Sequence, residues 1–376
     1  RHLELRPLRQ ILAEPPSGDP EQVHSGCIVR SLYPCGGHLH RSRPPCMSPT
    51  VLHVGPVESR GGMQSTIRHH LVNPPPGWST EVIGTHVDGS SPSKWFAWRK
   101  GRRELVRRLR DDPPDLVHVH TATRYSWWRK RRVVAISLAA GLPVVLQVHS
   151  GDFHRFIDRS PLNGKRFRDL CAHPSVTPVA LTPAHRDLIA LPPDAAVIGS
   201  PAPALDLVDP DSRDPGKLLL LARASPIKGH RLAISATLRM REEGREVNLH
   251  LSLEPNHPWV RGIDSEDGIH AHGWMTDEEK GELLRGAGLL LIPSEFEGMP
   301  VVAMEALSCG LPVLASPACA GILGGGGSIV PQLDARVWAD AIAAILDDEQ
   351  GWRQMCMAAP TAVADQTPEV IGARWA

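Results

Sequence analysis

From Val51 onward the chain alternates short apolar runs with amphipathic stretches, in two blocks separated by a segment rich in proline and aspartate. In the first block "VLHVGP", "TEVIGTH", "DLVHVH", "PVVLQVH", "SVTPVALT" and "AAVIGS" read as strands. Helical stretches lie between them at Met63 to Leu71, 94–110 and 127–140. In the second block the strands are "KLLLLAR", "VNLHLSL", "IHAHGW", "LLLIPS" and "LPVLAS". Helices are expected over 231–243, in "TDEEKGELLRGA", over 299–309 with Gly310 as the stop, and near 335–347. Strands that take turns with helices demand parallel sheets, because a parallel neighbour needs a crossover long enough to hold a helix. Two such series predict an α/β protein with two doubly wound Rossmann-like domains facing each other across a cleft. Ligands are then expected at the C-terminal ends of the strands.

This reading divides the 376 residues into five parts. Residues 1–46 lack a sustained period and are rich in Pro, Arg and His, so they read as a disordered extension. Residues 47–200 form the first domain, 201–216 a linker, 217–355 the second domain, and 356–376 a tail that can cross back to the first.

Composition removes several function classes. Lys plus Arg equals Asp plus Glu, 41 each, so no global field favours nucleic acid. No apolar run reaches the roughly 18 residues of a membrane span, and no secretory leader pattern opens the sequence. Seven cysteines without a CxxC pair read as reduced thiols, which points to a cytoplasmic setting. The basic helix at Arg99–Arg110, with "RYSWWRKRR" after it, adds a second expectation: peripheral contact with the anionic inner face of a membrane, against a plain solvated helix. A nucleic-acid partner is not expected, because no binding-module pattern accompanies these cations.

The chemistry gathers at the strand ends. "SEFEGMPVVAMEALSCGLPVLAS" starts where a strand stops and contains Glu297, Gly298, Met299, a first-turn Pro300 and Glu305. A helix N-terminus aimed into a cleft attracts phosphate. A carboxylate beside it needs another task, and accepting hydrogen bonds from sugar hydroxyls is a good one. For Glu297 the competing reading is helix capping; Glu305 lies too far into the helix for the dipole to explain it. "LARASPIKGH" places Arg223 and Lys228 on a strand-to-helix loop at the same edge, where Arg can fork a diphosphate and Lys add a point charge. "VGPVESRGGMQ" puts Gly61 and Gly62 at the opening of a helix, where backbone amides approach a phosphate closely.

These segments resemble the retaining GT-B glycosyltransferases of the class called family four. The E-x7-E block from Glu297 to Glu305 carries most of the likeness. "ARASPIKG", "RGGM" and "DLVHVH…LPVVLQVHSGDF" add to it, and together they span about Val51 to Val330. The resemblance implies transfer of a sugar, with retention, from a nucleotide-diphosphate sugar of UDP or GDP type to a saccharide or lipid-linked acceptor in polysaccharide or glycoconjugate synthesis. It implies no cofactor and no metal. It gives Arg223 and Lys228 the diphosphate, Glu305 the ribose, and Glu297 the transferred sugar. Gly61, Gly62, Gly298 and Met299 line the donor site, and His149 contacts the sugar near the reacting carbon. His149 and Glu297 are thereby the catalytic pair. Asp152 receives no role. Ala222 stands where the family has glycine, and the loops "ASPI" and "AGILGGGG" also depart from its pattern.

Three rival readings are set beside this one. Another GT-B enzyme, an epimerase or a phosphorylase, would need extra acids or a cofactor-binding lysine, for which no candidate stands out. A non-enzymatic binding protein would use the basic helix. His118 and His120 share one strand face and suggest a metal with His149 or Asp152, but no third ligand has a suggestive spacing, so a structural role is expected. "DPD" at Asp209 to Asp211 lies in the linker and reads as a turn.

Overall fold

The computed structural model describes residues 48–202, 205–263 and 265–376; the expected disordered extension over 1–46 lies outside them. Two six-stranded sheets, with every strand pairing parallel, form the two halves of the protein. The first runs in the order β2-β1-β3-β4-β5-β6. Its strands are β1 (Thr50–Gly55), β2 (Ser79–Gly84), β3 (Leu116–Thr121), β4 (Val144–Val148), β5 (Val176–Ala180) and β6 (Ala196–Val197). The second runs β12-β11-β10-β7-β8-β9. Its strands are β7 (Asp214–Leu220), β8 (Asn248–Leu251), β9 (Ile269–Ala271), β10 (Ala287–Ile292), β11 (Val313–Ala315) and β12 (Gly327–Ile329). Every residue of β1, β3, β4 and β10 is buried, as a parallel strand covered on both faces requires.

The crossovers in the first half are α1 (Gly62–Val72), α2 (Ser91–Asp111), α3 (Tyr125–Ala139), α4 (Phe153–Asp158), α5 (Pro161–Cys171) and α6 (Pro183–Leu188). In the second they are α7 (His230–Glu242), α8 (Asp277–Gly286) and α9 (Val301–Ser308), and α10 (Ala335–Asp347) follows the last strand, β12. Local chemistry accounts for several helix starts. Thr276 and Glu279 close the capping box of α8. Ser90 and Ser160 cap α2 and α5, each followed by an early proline.

The order of strands reverses direction on either side of β1 in the first sheet and of β7 in the second. Crevices therefore open at the C-terminal ends of β1 and β3 and of β7 and β10.

One boundary differs from the sequence expectation. Strand β7 starts at Asp214, inside the stretch read as linker. Beside it, Arg213 is buried and donates to the carbonyls of Leu284, Arg285, Ala287 and Cys309, so it fastens the ends of α8 and α9. "DPD" forms a short 3-10 turn in which Asp209 accepts from the Asp211 amide. After α10 the chain continues through α11 (Glu349–Ala358), a 3-10 segment, and α12 (Pro368–Trp375). Ile371 of α12 packs with Val51, Leu116, Val145, Val179 and Ile198 of the first half, and the Trp375 ring lies edge-on to His70. Among the described residues, no helix is long and apolar enough to cross a membrane.

Candidate active site

The two halves meet backbone to backbone at the strand ends. A Cβ on Gly298 would lie 2.9 Å from the His149 carbonyl oxygen, and one on Gly151 would overlap the Glu297 backbone. Glycine is required at both places by this close approach. Ionic contacts flank the seam: Arg155 bonds Glu295 at 2.7 Å and lies over the Phe296 ring, and Arg68 bonds Asp277 at 2.8 Å.

Behind this seam lies a cavity of about 290 Å³. Gly61, Gly62, His149, Arg223, Lys228, Glu297, Gly298, Met299 and Glu305 all line it. The first turns of α1 and α9 face it through Met63, Gln64, Val301 and Val302. Neither helix has a side-chain cap, so both present free amide groups to an anion. Gly61 adopts φ 128, which favours glycine, and a Cβ there would sit 3.3 Å from Arg223 Nε of the opposite half. Gly61 and the Arg223 guanidinium thus face each other across the cavity.

Each carboxylate has a cation partner that the sequence reading did not pair with it. Glu297 precedes α9, whose first residue is Val301, so capping is not its role. Its Oε1 instead receives Lys228 Nζ at 2.7 Å. The Glu297 side chain is 8 % exposed and that of Lys228 23 %. Glu305 is buried and receives Lys280 Nζ at 2.7 Å. Burial pushes its carboxyl above the ordinary range, and the Lys280 ammonium pulls against that shift. Lys280 was missed from sequence: it sits four residues after a helix cap, 25 positions from Glu305, and no local signal marks it. Ser200 and Thr66 were missed for the same reason; they bond each other at 3.1 Å on the cavity wall.

His149 directly follows β4 and belongs to a row of histidines on one sheet face. Register aligns His53 with His118, and His120 with Gln147. This face carries His53, His118, His120, Gln147 and His149, with His70 of α1 packed on it. Burial holds His53, His118 and His120 well below the usual histidine range, and His149 at about 3. All are neutral near pH 7. Gln147 donates to the Ile198 carbonyl, so its oxygen must accept from His118 Nε2. The His185 Nε2 donates to the Ser150 carbonyl, which braces the residue after His149. His53 is the third histidine that sequence spacing did not supply: with His118 and His120 it brings ring nitrogens within 4.8 Å of one another.

The second half, residues 215–348, matches the family described as glycosyl transferases group 1. An MMP α-(1→4)-mannosyltransferase of Mycolicibacterium hassiacum is 35 % identical over 114 residues, which cover 29 % of this chain and 28 % of the relative. A D-inositol 3-phosphate glycosyltransferase of Kineococcus radiotolerans is 30 % identical over 157 residues, covering 35 % and 36 %. The chain spans about a third of the length of these curated relatives. Over most of its length it superposes on HepE of Anabaena in complex with UDP, with TM-score 0.63, 16 % identity, and coverage of 86 % of this chain and 97 % of that one. For sucrose-phosphate synthase of Thermosynechococcus elongatus the TM-score is 0.67, with 17 % identity and coverage of 86 % and 96 %. The fold is GT-B.

Proposed function

We propose that this chain transfers a sugar, with retention, from a UDP- or GDP-sugar to a saccharide or lipid-linked acceptor in glycoconjugate synthesis, without a metal or other cofactor. The observation that carries the proposal is the convergence on one cavity of two uncapped helix N-termini, the Arg223 and Lys228 cations and two buried carboxylates. Breaking the bond between the sugar and the diphosphate leaves charge on the diphosphate. Arg223, Lys228 and the first-turn amides of α9 lie where that charge develops, and fixed dipoles and cations stabilise it more in the transition state than in the ground state. Glu297 then accepts from hydroxyls of the transferred sugar, and Glu305 from the ribose diol. His149, neutral beside the seam, offers a hydrogen bond to the sugar without adding charge.

The decisive experiment measures transfer by Lys228→Ala and Glu297→Gln, with folding checked by circular dichroism and donor choice by thermal shift against UDP, GDP and ADP. We expect each variant to lose most turnover, the activity to survive EDTA, and one nucleotide to raise the midpoint. A folded Lys228→Ala enzyme with unchanged turnover would sink the assignment.

A lipid-linked acceptor fits the exposed aromatics on the first half. Trp95, Phe96 and Trp128 are 50 %, 64 % and 40 % exposed, and Arg99 and Arg132 stack on two of them. Aromatic rings among cations suit an anionic bilayer interface. Co-sedimentation with phosphatidylglycerol vesicles but not with phosphatidylcholine, weakened by Trp95→Ser with Phe96→Ser, is the expected result. Equal pelleting of the double variant would refute it.

A further inference from the structure

We propose that His120 and His53 are positioning residues that hold His149 in its Nδ1–H tautomer, through a chain of three imidazoles running from the interior of the first sheet to the cleft. The inference rests on the reading of His149 as a donor-sugar contact, and deepens it.

The chain has two links. His53 Nδ1 lies 3.0 Å from His120 Nε2, and His120 Nδ1 lies 3.0 Å from His149 Nε2. The ring centroids are 5.3 and 5.1 Å apart. In each link the nitrogen contact plus one ring radius on either side accounts for the whole separation. The facing nitrogens therefore lie close to the line between ring centres, and their in-plane orbitals meet head-on. That is the geometry of a hydrogen bond. A zinc ion would need both lone pairs converging on a point about 2.0–2.1 Å from each nitrogen. The proximity of His53, His118 and His120 thus reflects hydrogen bonding along a sheet face rather than a ligand set.

A neutral imidazole has one donor and one acceptor nitrogen, so the tautomers in such a chain are locked together and only two arrangements exist. The interior end decides between them. His53 Nε2 is buried and has no hydrogen-bond partner among the described residues. If the protons point inward, this nitrogen carries an N–H with no acceptor. If they point outward, it carries only a lone pair, and unpaired buried acceptors are better tolerated than unpaired donors. The outward arrangement has His53 Nδ1–H donating to His120, and His120 Nδ1–H donating to His149 Nε2. His149 then bears its proton on Nδ1, the ring nitrogen left for the cleft, and acts there as a donor toward a sugar oxygen. The neighbouring rings do not compete, because Gln147 fixes His118 and the Ser150 carbonyl fixes His185. An isolated histidine at the same strand end would be free to present either nitrogen state.

The test is long-range ¹H–¹⁵N spectroscopy on the full chain labelled at histidine nitrogens, with the His149 signals assigned by their loss in His149→Gln. We expect the Nδ1–H pattern for His149 in the unsubstituted protein. It should persist in His120→Asn, whose amide nitrogen takes the place of Nδ1, and give way to the Nε2–H or a mixed pattern in His120→Phe and His53→Phe. Turnover of His120→Phe should fall roughly tenfold with the donor KM unchanged, the effect of one neutral hydrogen bond. His120→Asn should restore it to within about threefold. An Nε2–H pattern for His149 in the unsubstituted protein overturns the proposal, and that measurement needs no variant to fold. A pattern unchanged in folded His120→Phe overturns it equally. Unimpaired transfer by His149→Gln would instead defeat the underlying role of His149 while leaving the tautomer result intact.

Discussion

Replacing Lys280 by methionine strips the buried Glu305 carboxylate of its 2.7 Å cation partner while keeping most of the packing volume. The Glu305 side chain is only 6 % exposed, and its carboxyl is already shifted upward by burial, with Lys280 as the main opposing influence. Without Lys280 the influences left are burial and Asp277, and both raise it. The carboxyl then takes up a proton in the folded state that the unfolded chain gives up near its ordinary value of 4.5. Each pH unit above that value costs about 1.36 kcal/mol, so at pH 7 the ceiling is about 3.4 kcal/mol and at pH 5 about 0.7 kcal/mol. The sign follows from the raised folded value: the folded state holds more protons, so stability is present below pH 4.5 and is lost as pH climbs toward the folded value. Urea unfolding of Lys280→Met beside the parent chain at pH 5 and pH 7 should give a deficit that grows between the two, by no more than about 2.7 kcal/mol because the parent carboxyl is already raised. Adding Glu305→Gln should recover most of it, because the proton uptake disappears. A deficit equal at both pH values, or a double variant as unstable as the single one, would refute the reasoning.

Two further predictions test the packing that shapes the cleft. Gly151→Ala sets a methyl against the Glu297 backbone; kcat/KM should fall about a hundredfold, as a misplacement of about 1 Å at a reacting centre does, with the melting temperature little changed, and parent-like kinetics would show that the seam opens freely. Ile371→Ala empties a fully buried position where α12 meets the first sheet, so urea titration should show a loss of about 2–5 kcal/mol; a loss below about 1 kcal/mol would mean that α12 is only loosely seated.

Much of this architecture is local and was legible before folding. Continuous apolar runs such as "LVHVH" and "LLLI" announce buried parallel strands. Thr276 with Glu279 marks a helix start, and the steps into Lys228 and Glu297 fall where strands hand over to helices. Such signals rest on propensity, capping and turn chemistry, which act over a few residues. The partners of the charged and polar groups were not legible. Lys228 meets Glu297 across 69 positions, Lys280 meets Glu305 across 25, and His53 joins His120 across 67. These pairings exist because sheet register and the order of strands bring distant segments to one edge. The same packing carries α12 from the far end of the chain onto the first sheet. The sequence by itself determined which groups stand at the strand ends. The tertiary structure decided which of them neutralise one another, because burial makes an unpaired charge costly and packing alone selects its partner.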